Sequence, residues 1–208
     1  MAIFTNRIIP FSVFILFVFL FGCNSGTDEA VLPFVKIAGK TMGTTYHITY
    51  GDDRERNFQN SIDSLFAAIN DEVSTYIPTS TISRFNQSRD TFDLDFELPE
   101  YQNQTTEINR HFFTNFLTAK IIHQETDGYF EPTVMPLVNY WGFGYTEKKP
   151  VESIDSLKIE ELMSFIGVDK IFAIKKRGED SLRLFKRNPG TQLDFSGIAK
   201  GYAVDEVG

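Results

Sequence analysis

Between Asn57 and Val73, apolar side chains fall at Phe58, Ile62, Leu65, Phe66, Ile69 and Val73, steps of three and four that line one face of an α-helix. A helix with a single apolar face must bury it against another layer, so the flanking segments have to supply one. Upstream, Phe34 to Tyr50 reads as a strand pair. Val35 and Ile37 alternate with polar neighbours, and Thr44 to Tyr50 is rich in β-branched and aromatic residues. Downstream, Tyr76-Ile77-Pro78 is expected to end the first helix, because a proline disfavours helical geometry in the residue before it. Glu107 to Thr126 is a second helix, with Ile108, Phe112, Phe116, Ala119 and Ile122 on one face and Asp127-Gly128 as its stop. Ser156 to Ile166 is a third, stopped by Gly167 in the same left-handed manner. Lys170 to Lys175 and Ser181 to Lys186 read as a hairpin around Arg177 to Asp180, and a short strand from Thr191 to Asp194 leads through Ser196-Gly197 into a last helix. Helices mixed with antiparallel hairpins indicate an α+β domain.

The N-terminus follows different rules. Arg7 precedes an apolar run from Phe11 to Phe21, broken only by Ser12, and this layout matches a secretory signal peptide. The run is shorter than the ~20 apolar residues of a membrane span. It ends Leu20-Phe21-Gly22-Cys23, with the only Cys of the chain at its edge. That ending resembles the lipobox of bacterial lipoproteins, which implies residues 1–22 as signal, Cys23 as the lipidated mature N-terminus and 23–33 as a linker. The expected location is outside the cytoplasm, tethered to a membrane with the domain facing the periplasm; an uncleaved anchor with a buried thiol is the alternative. A single Cys excludes an internal disulfide framework or a Cys-based zinc cluster. A net charge of −8 argues against nucleic acid, which recruits clustered Lys and Arg.

Three stretches concentrate chemistry-bearing residues. Gly39 to Thr44 (GKTMGT) has glycines that permit close backbone approach and a polarizable thioether at Met42, although alone it is also an ordinary hairpin turn. Asp127 to Thr133, continuing to Gly144, carries Tyr129, Phe130, Tyr140, Trp141 and Phe143, which suit either stacking of a planar heterocycle or a small aromatic core under a loop. Asp194 to Tyr202 (DFSGIAKGY) has the layout of a turn opening a helix, with Lys200 in the first turn. That arrangement fits an anionic ligand such as a diphosphate, yet matches neither the Walker pattern nor the dinucleotide glycine pattern.

In order, Gly39 to Thr44, Ser74 to Tyr76 with Ile82 to Asn86, Thr126 to Gly144 and Asp194 to Asp205 resemble the ApbE family of flavin transferases, over nearly all of the chain after the signal. The resemblance implies that 34–208 is the N-terminal portion of such a domain, C-terminally incomplete and inactive alone. It implies FAD as substrate, Mg²⁺ as the metal, and transfer of FMN to a Ser/Thr hydroxyl of a partner protein with release of AMP. The acceptor expected is a subunit of a membrane electron-transfer complex. A flavin-binding lipoprotein without catalysis and an FAD pyrophosphatase are the alternatives. By position, Met42 and Tyr76 match residues lining the flavin site, while Tyr129, Phe130 and Glu131 match a loop contacting FAD, with Glu131 where many members have Asp. Asp194 and Lys200 match further FAD contacts, and Gly197 matches a backbone carbonyl that ligates the metal. The remaining metal ligands and a reaction-centre His are expected after Gly208, and no catalytic base is assigned. His47, His111 and His123 match none of that machinery, and His123 reads as a surface residue.

Overall fold

The computed structural model describes residues 32–95, 109–146, 153–175 and 181–208. The apolar run, Cys23, Ile108 and the Arg177–Asp180 turn lie outside these residues. The described residues divide into two units. The small one comprises 32–35 with Thr49–Arg56, and the larger comprises 36–48 with the chain from Asn57 onward.

In the small unit, Asp52 is buried and its amide donates to the Pro33 carbonyl at 3.1 Å. The Arg56 guanidinium binds both carboxylate oxygens of Asp52, and this pairing holds the Asp52 carboxyl down at about 2.

Strands β1 (Phe34–Thr41) and β2 (Thr44–Gly51) form a two-stranded sheet joined by Met42 and Gly43. Both turn residues have positive φ, 49° and 72°, the geometry whose twist matches a hairpin. The first long helix, α1 (Gln59–Val73), buries Phe66, Ile69 and Val73, as its periodicity requires. It ends at Val73, as expected: Ser74 is already extended, and the next turn is closed by side chains. Ser80 donates to the Ser74 carbonyl at 2.7 Å and caps the short helix α2 (Thr81–Gln87) by accepting from the Ser83 amide.

Strand β3 (Thr91–Asp95) pairs antiparallel with β5 (Ser181–Lys186), which pairs in turn with β4 (Ile171–Lys175), so the sheet order is β3-β5-β4. The β4–β5 pairing agrees with the expected hairpin; β3 has no counterpart in the sequence reading. Helix α3 (Arg110–Glu125) lays Phe112, Phe116 and Ala119 into the core. Asp127 and Gly128, both at positive φ, then stop it as anticipated. Short helix α4 (Met135–Tyr140) follows, then α5 (Ser156–Met163) and a 3₁₀ turn at Val168–Lys170. Gly167 does not cap α5 in left-handed geometry: the helix ends at Met163, and Gly167 has φ 134° and ψ 112° ahead of the 3₁₀ turn. The strand expected at Thr191–Asp194 is reduced to one bridge, Gln192 to Val134. The chain then enters α6 (Ala199–Val207).

The core joins α1, α2, α3, the sheet and α6 around five phenylalanines. Phe112 meets Phe85, Phe92, Phe116 and Phe195 at centroid distances of 5.5–6.5 Å. Each such pair is worth ~0.5–1.5 kcal/mol beyond the area it buries. Phe195, fully buried, anchors the segment that carries Asp194 and Ser196.

Candidate functional site

A chemically mixed cleft of about 730 Å³ opens in the larger unit, within the ~300–1,000 Å³ range of small-molecule sites. Four sequence-distant segments make it. The hairpin turn contributes Met42 and Gly43, and the C-terminal end of α1 with its extended exit contributes Asn70 and Val73 to Ile77. Val138 and Phe143 come from α4 and the loop after it, and Asp194, Ser196, Ala199 and Lys200 complete the wall.

Local bonds hold these segments in register. Asn70 Nδ2 donates to Thr41 Oγ1 at 3.0 Å, tying α1 to the hairpin. The Tyr76 hydroxyl donates to the Phe143 backbone carbonyl at 3.4 Å, tying together two exposed aromatic residues of the cleft. The Asp194 amide donates to the Pro132 carbonyl at 2.7 Å. One Asp194 oxygen accepts from the amide (2.8 Å) and the hydroxyl of Ser196, a local turn that leads into α6. The α6 N-cap residue, Ile198, makes no side-chain cap, and the Ala199 amide that opens the helix donates to the Phe195 carbonyl at 2.8 Å. Lys200 is exposed at this end. Apolar Met42, Val73, Ile77, Val138 and Phe143 therefore face the same space as one carboxylate and one ammonium, a chemistry suited to a ligand with a flat apolar part and an anionic part.

Of the residues singled out in the sequence, Met42, Tyr76, Asp194 and Lys200 come together here. Tyr129, Phe130, Glu131 and Gly197 are not among the cleft's lining residues. Tyr129 is almost fully exposed (95%), and Phe143 is 78% exposed, so the aromatics of this stretch do not form a small core of their own. Phe130 packs against the core, and its ring edge lies where a Cβ on Gly197 would come within 3.1 Å. A side chain at 197 would therefore push the ring or the turn. Glu131 turns inward: Oε1 accepts from the Thr133 amide (2.9 Å) and hydroxyl, and Oε2 accepts from the Val168 amide at 3.4 Å.

His123 is not the surface residue expected. It is about three-quarters buried; Nδ1–H donates to the Phe130 carbonyl at 2.9 Å and lies 3.4 Å from Glu131 Oε2. The sequence signal for this was its place one helical turn before the Asp127-Gly128 stop, from which a ring can reach back over the loop. Asn70 and Ile77 had no signal at all, since one lies on the polar flank of α1 and the other in the turn after it.

No group of three or more His, Cys, Asp or Glu that could hold a metal exists among the described residues. The Gly197 carbonyl and the Asp194 carboxylate do not by themselves make a divalent-cation site.

A model of the ApbE family matches residues 42–208. FAD:protein FMN transferase of Haemophilus influenzae is 33% identical over 178 residues, 83% of this chain and 47% of that relative. The Vibrio cholerae protein of the same name is 32% identical over 192 residues, 90% of this chain and 50% of the relative. Among solved structures, flavin transferase ApbE from Vibrio cholerae superposes with TM-score 0.68 at 30% identity, covering 85% of this chain and 52% of that one. The apo form of Pseudomonas stutzeri flavinyl transferase ApbE gives TM-score 0.67 at 24% identity, a likeness of fold. The chain spans about half the length of the curated relatives it matches. With the family match taking in every residue that lines the cleft, this chain belongs to the ApbE family.

Proposed function

We propose that this chain forms the flavin-binding half of an exported FAD:protein FMN transferase. In this reading the enzyme cleaves the FAD diphosphate, places FMN on a Ser/Thr hydroxyl of an acceptor protein and releases AMP. The observation that carries the reading is the convergence of Met42, Tyr76, Asp194 and Lys200 on one cleft from segments far apart in sequence. Met42, Tyr76 and Phe143 supply polarizable and aromatic surface for the isoalloxazine. The Lys200 ammonium and the N-terminal end of the α6 dipole supply positive potential for the diphosphate. Asp194 is placed to accept from a ligand hydroxyl with the carboxylate oxygen that the Ser196 turn leaves open.

Mg²⁺ dependence is part of the proposal for the whole protein. The described residues do not by themselves form a cation site. The acceptor proposed is a subunit of a membrane electron-transfer complex, reached from the periplasmic side by an enzyme exported through residues 1–22 and lipidated at Cys23. These residues lie outside those described.

The test is to incubate the complete protein with FAD, Mg²⁺ and a candidate acceptor carrying a target Ser/Thr, then read flavin fluorescence on the acceptor after denaturing electrophoresis. Covalent flavin on the acceptor with one AMP released per FMN transferred is the expected result. Free FMN with an unlabelled acceptor would make it an FAD pyrophosphatase, and binding without turnover a flavin-binding lipoprotein. Mass spectrometry of the membrane fraction tests the anchor, since Cys23→Ser should remove the lipid mass.

A further inference from the structure

Strand β5 alternates Leu182, Leu184, Lys186 toward the core, and its last inward position holds a lysine only 5% exposed. Lys186 Nζ donates to the carbonyls of Phe85 (3.2 Å), Asn86 (3.4 Å), Pro189 (3.4 Å) and Thr191 (3.2 Å), four acceptors for the three protons of an ammonium. It also lies 5.1 Å from the centre of the Phe85 ring. Two of the four carbonyls close the last turn of α2, the end of a helix that favours a cation. No carboxylate pairs with Lys186 among the described residues. Burial alone lowers its pKa to about 8, so this charge is held by backbone dipoles.

Beside it, Asn86 satisfies both backbone groups of one residue in the same segment. Its Nδ2 donates to the Leu193 carbonyl at 2.9 Å and its Oδ1 accepts from the Leu193 amide at 2.7 Å. A side-chain amide thus takes the place of a neighbouring strand, which explains why residues 191–194 run extended with a single bridge. Leu193 and Thr191 are fully buried, and the next residue, Asp194, is in the cleft wall.

We propose that Lys186 and Asn86 are the positioning residues of the cleft: they clamp residues 189–193 onto the end of α2 and so fix where Asp194 and Ser196 meet a ligand. Neither residue touches the cleft itself. The inference depends on the proposed function only for the identity of that ligand.

Two measurements test it. The first is amide hydrogen exchange on the unliganded full chain between pH 7 and 9.5. Ionised hydrogen bonds are about twice as strong as neutral ones, so protection of the Leu193 and Asp194 amides should fall about tenfold as Lys186 loses its proton near pH 8. Amides of α1 and α3 should hold over the same range. If Leu193 and Asp194 track those helices throughout, the proposal is overturned. The second is FAD titration of the wild type and of Lys186→Met, which keeps the apolar stem but removes the donor. The variant should bind about tenfold more weakly at pH 7 and lose the decline in affinity that the wild type shows through pH 8. Wild-type affinity with an unaltered pH profile in the variant would also overturn the proposal. If Lys186→Met does not fold, the exchange profile of the wild type still decides. If the wild type binds no FAD, the functional reading fails while the exchange result stands.

Discussion

Met42 is the position where turn geometry and ligand chemistry pull apart, and Met42→Asn measures both. A non-glycine residue at φ 49° carries roughly 1–2 kcal/mol of left-handed strain, which Asn tolerates far better and which the following Gly43 favours as an Asn-Gly turn. Against this gain stands lost packing. Met42 is half-buried against the core, and full burial of a Met is worth ~1.5–3 kcal/mol, so about 1 kcal/mol is forfeited. The two effects nearly cancel, and urea unfolding of the variant should give a stability within ~1 kcal/mol of the wild type. Binding has no such compensation. Removing the thioether from the cleft proposed to take the flavin should weaken FAD by about tenfold, read by quenching of flavin fluorescence on titration. A stability loss above ~2 kcal/mol would show that packing, not turn strain, governs this residue. Unchanged FAD affinity would remove Met42 from the site.

Phe195→Ala should cost ~3–5 kcal/mol by urea unfolding, since the ring is fully buried 5.5 Å from that of Phe112; a loss below ~1 kcal/mol would contradict the aromatic core described. Glu72 gives a pH signature. Its carboxyl accepts from the Phe112 amide, but burial raises its pKa from 4.5 to about 7. The folded state thus keeps a proton that the unfolded chain has released between these values, and stability falls as pH rises through the window. Glu72→Gln should flatten the urea midpoint between pH 4.5 and 7, and an unchanged slope would assign it to other groups. Lys200→Ala should weaken FAD about tenfold and reduce the salt dependence of binding, with unchanged titration curves as the refuting result.

The long amphipathic helices were legible because their burial is set by local period: Phe66, Ile69 and Val73 could face only one way, as could Phe112, Phe116 and Ala119. Turns were legible where one residue type forces the backbone, as at Asp127-Gly128, and misread where it does not. Gly167 is needed for a different positive-φ geometry, ahead of the 3₁₀ turn. The third strand, Thr91–Asp95, escaped notice because its partner is β5, far along the chain. The Thr191–Asp194 segment looked like a strand because it is extended and buried, but a side chain, Asn86, does the pairing.

The order of glycine turns, aromatics and the Asp194–Lys200 stretch sufficed to mark this chain as an ApbE-type α+β domain and to nominate Met42, Tyr76, Asp194 and Lys200. Such features are local, written in adjacent residues and their spacing. Which nominees share a cleft was decided by tertiary structure, because long-range packing turns Glu131 and Phe130 inward while it leaves Tyr76 and Lys200 on the cleft. Tertiary structure alone also gave roles to His123, Asn86 and Lys186. Each acts on backbone groups distant in sequence or around a loop, and a hydrogen bond of that kind leaves no periodic trace in the chain.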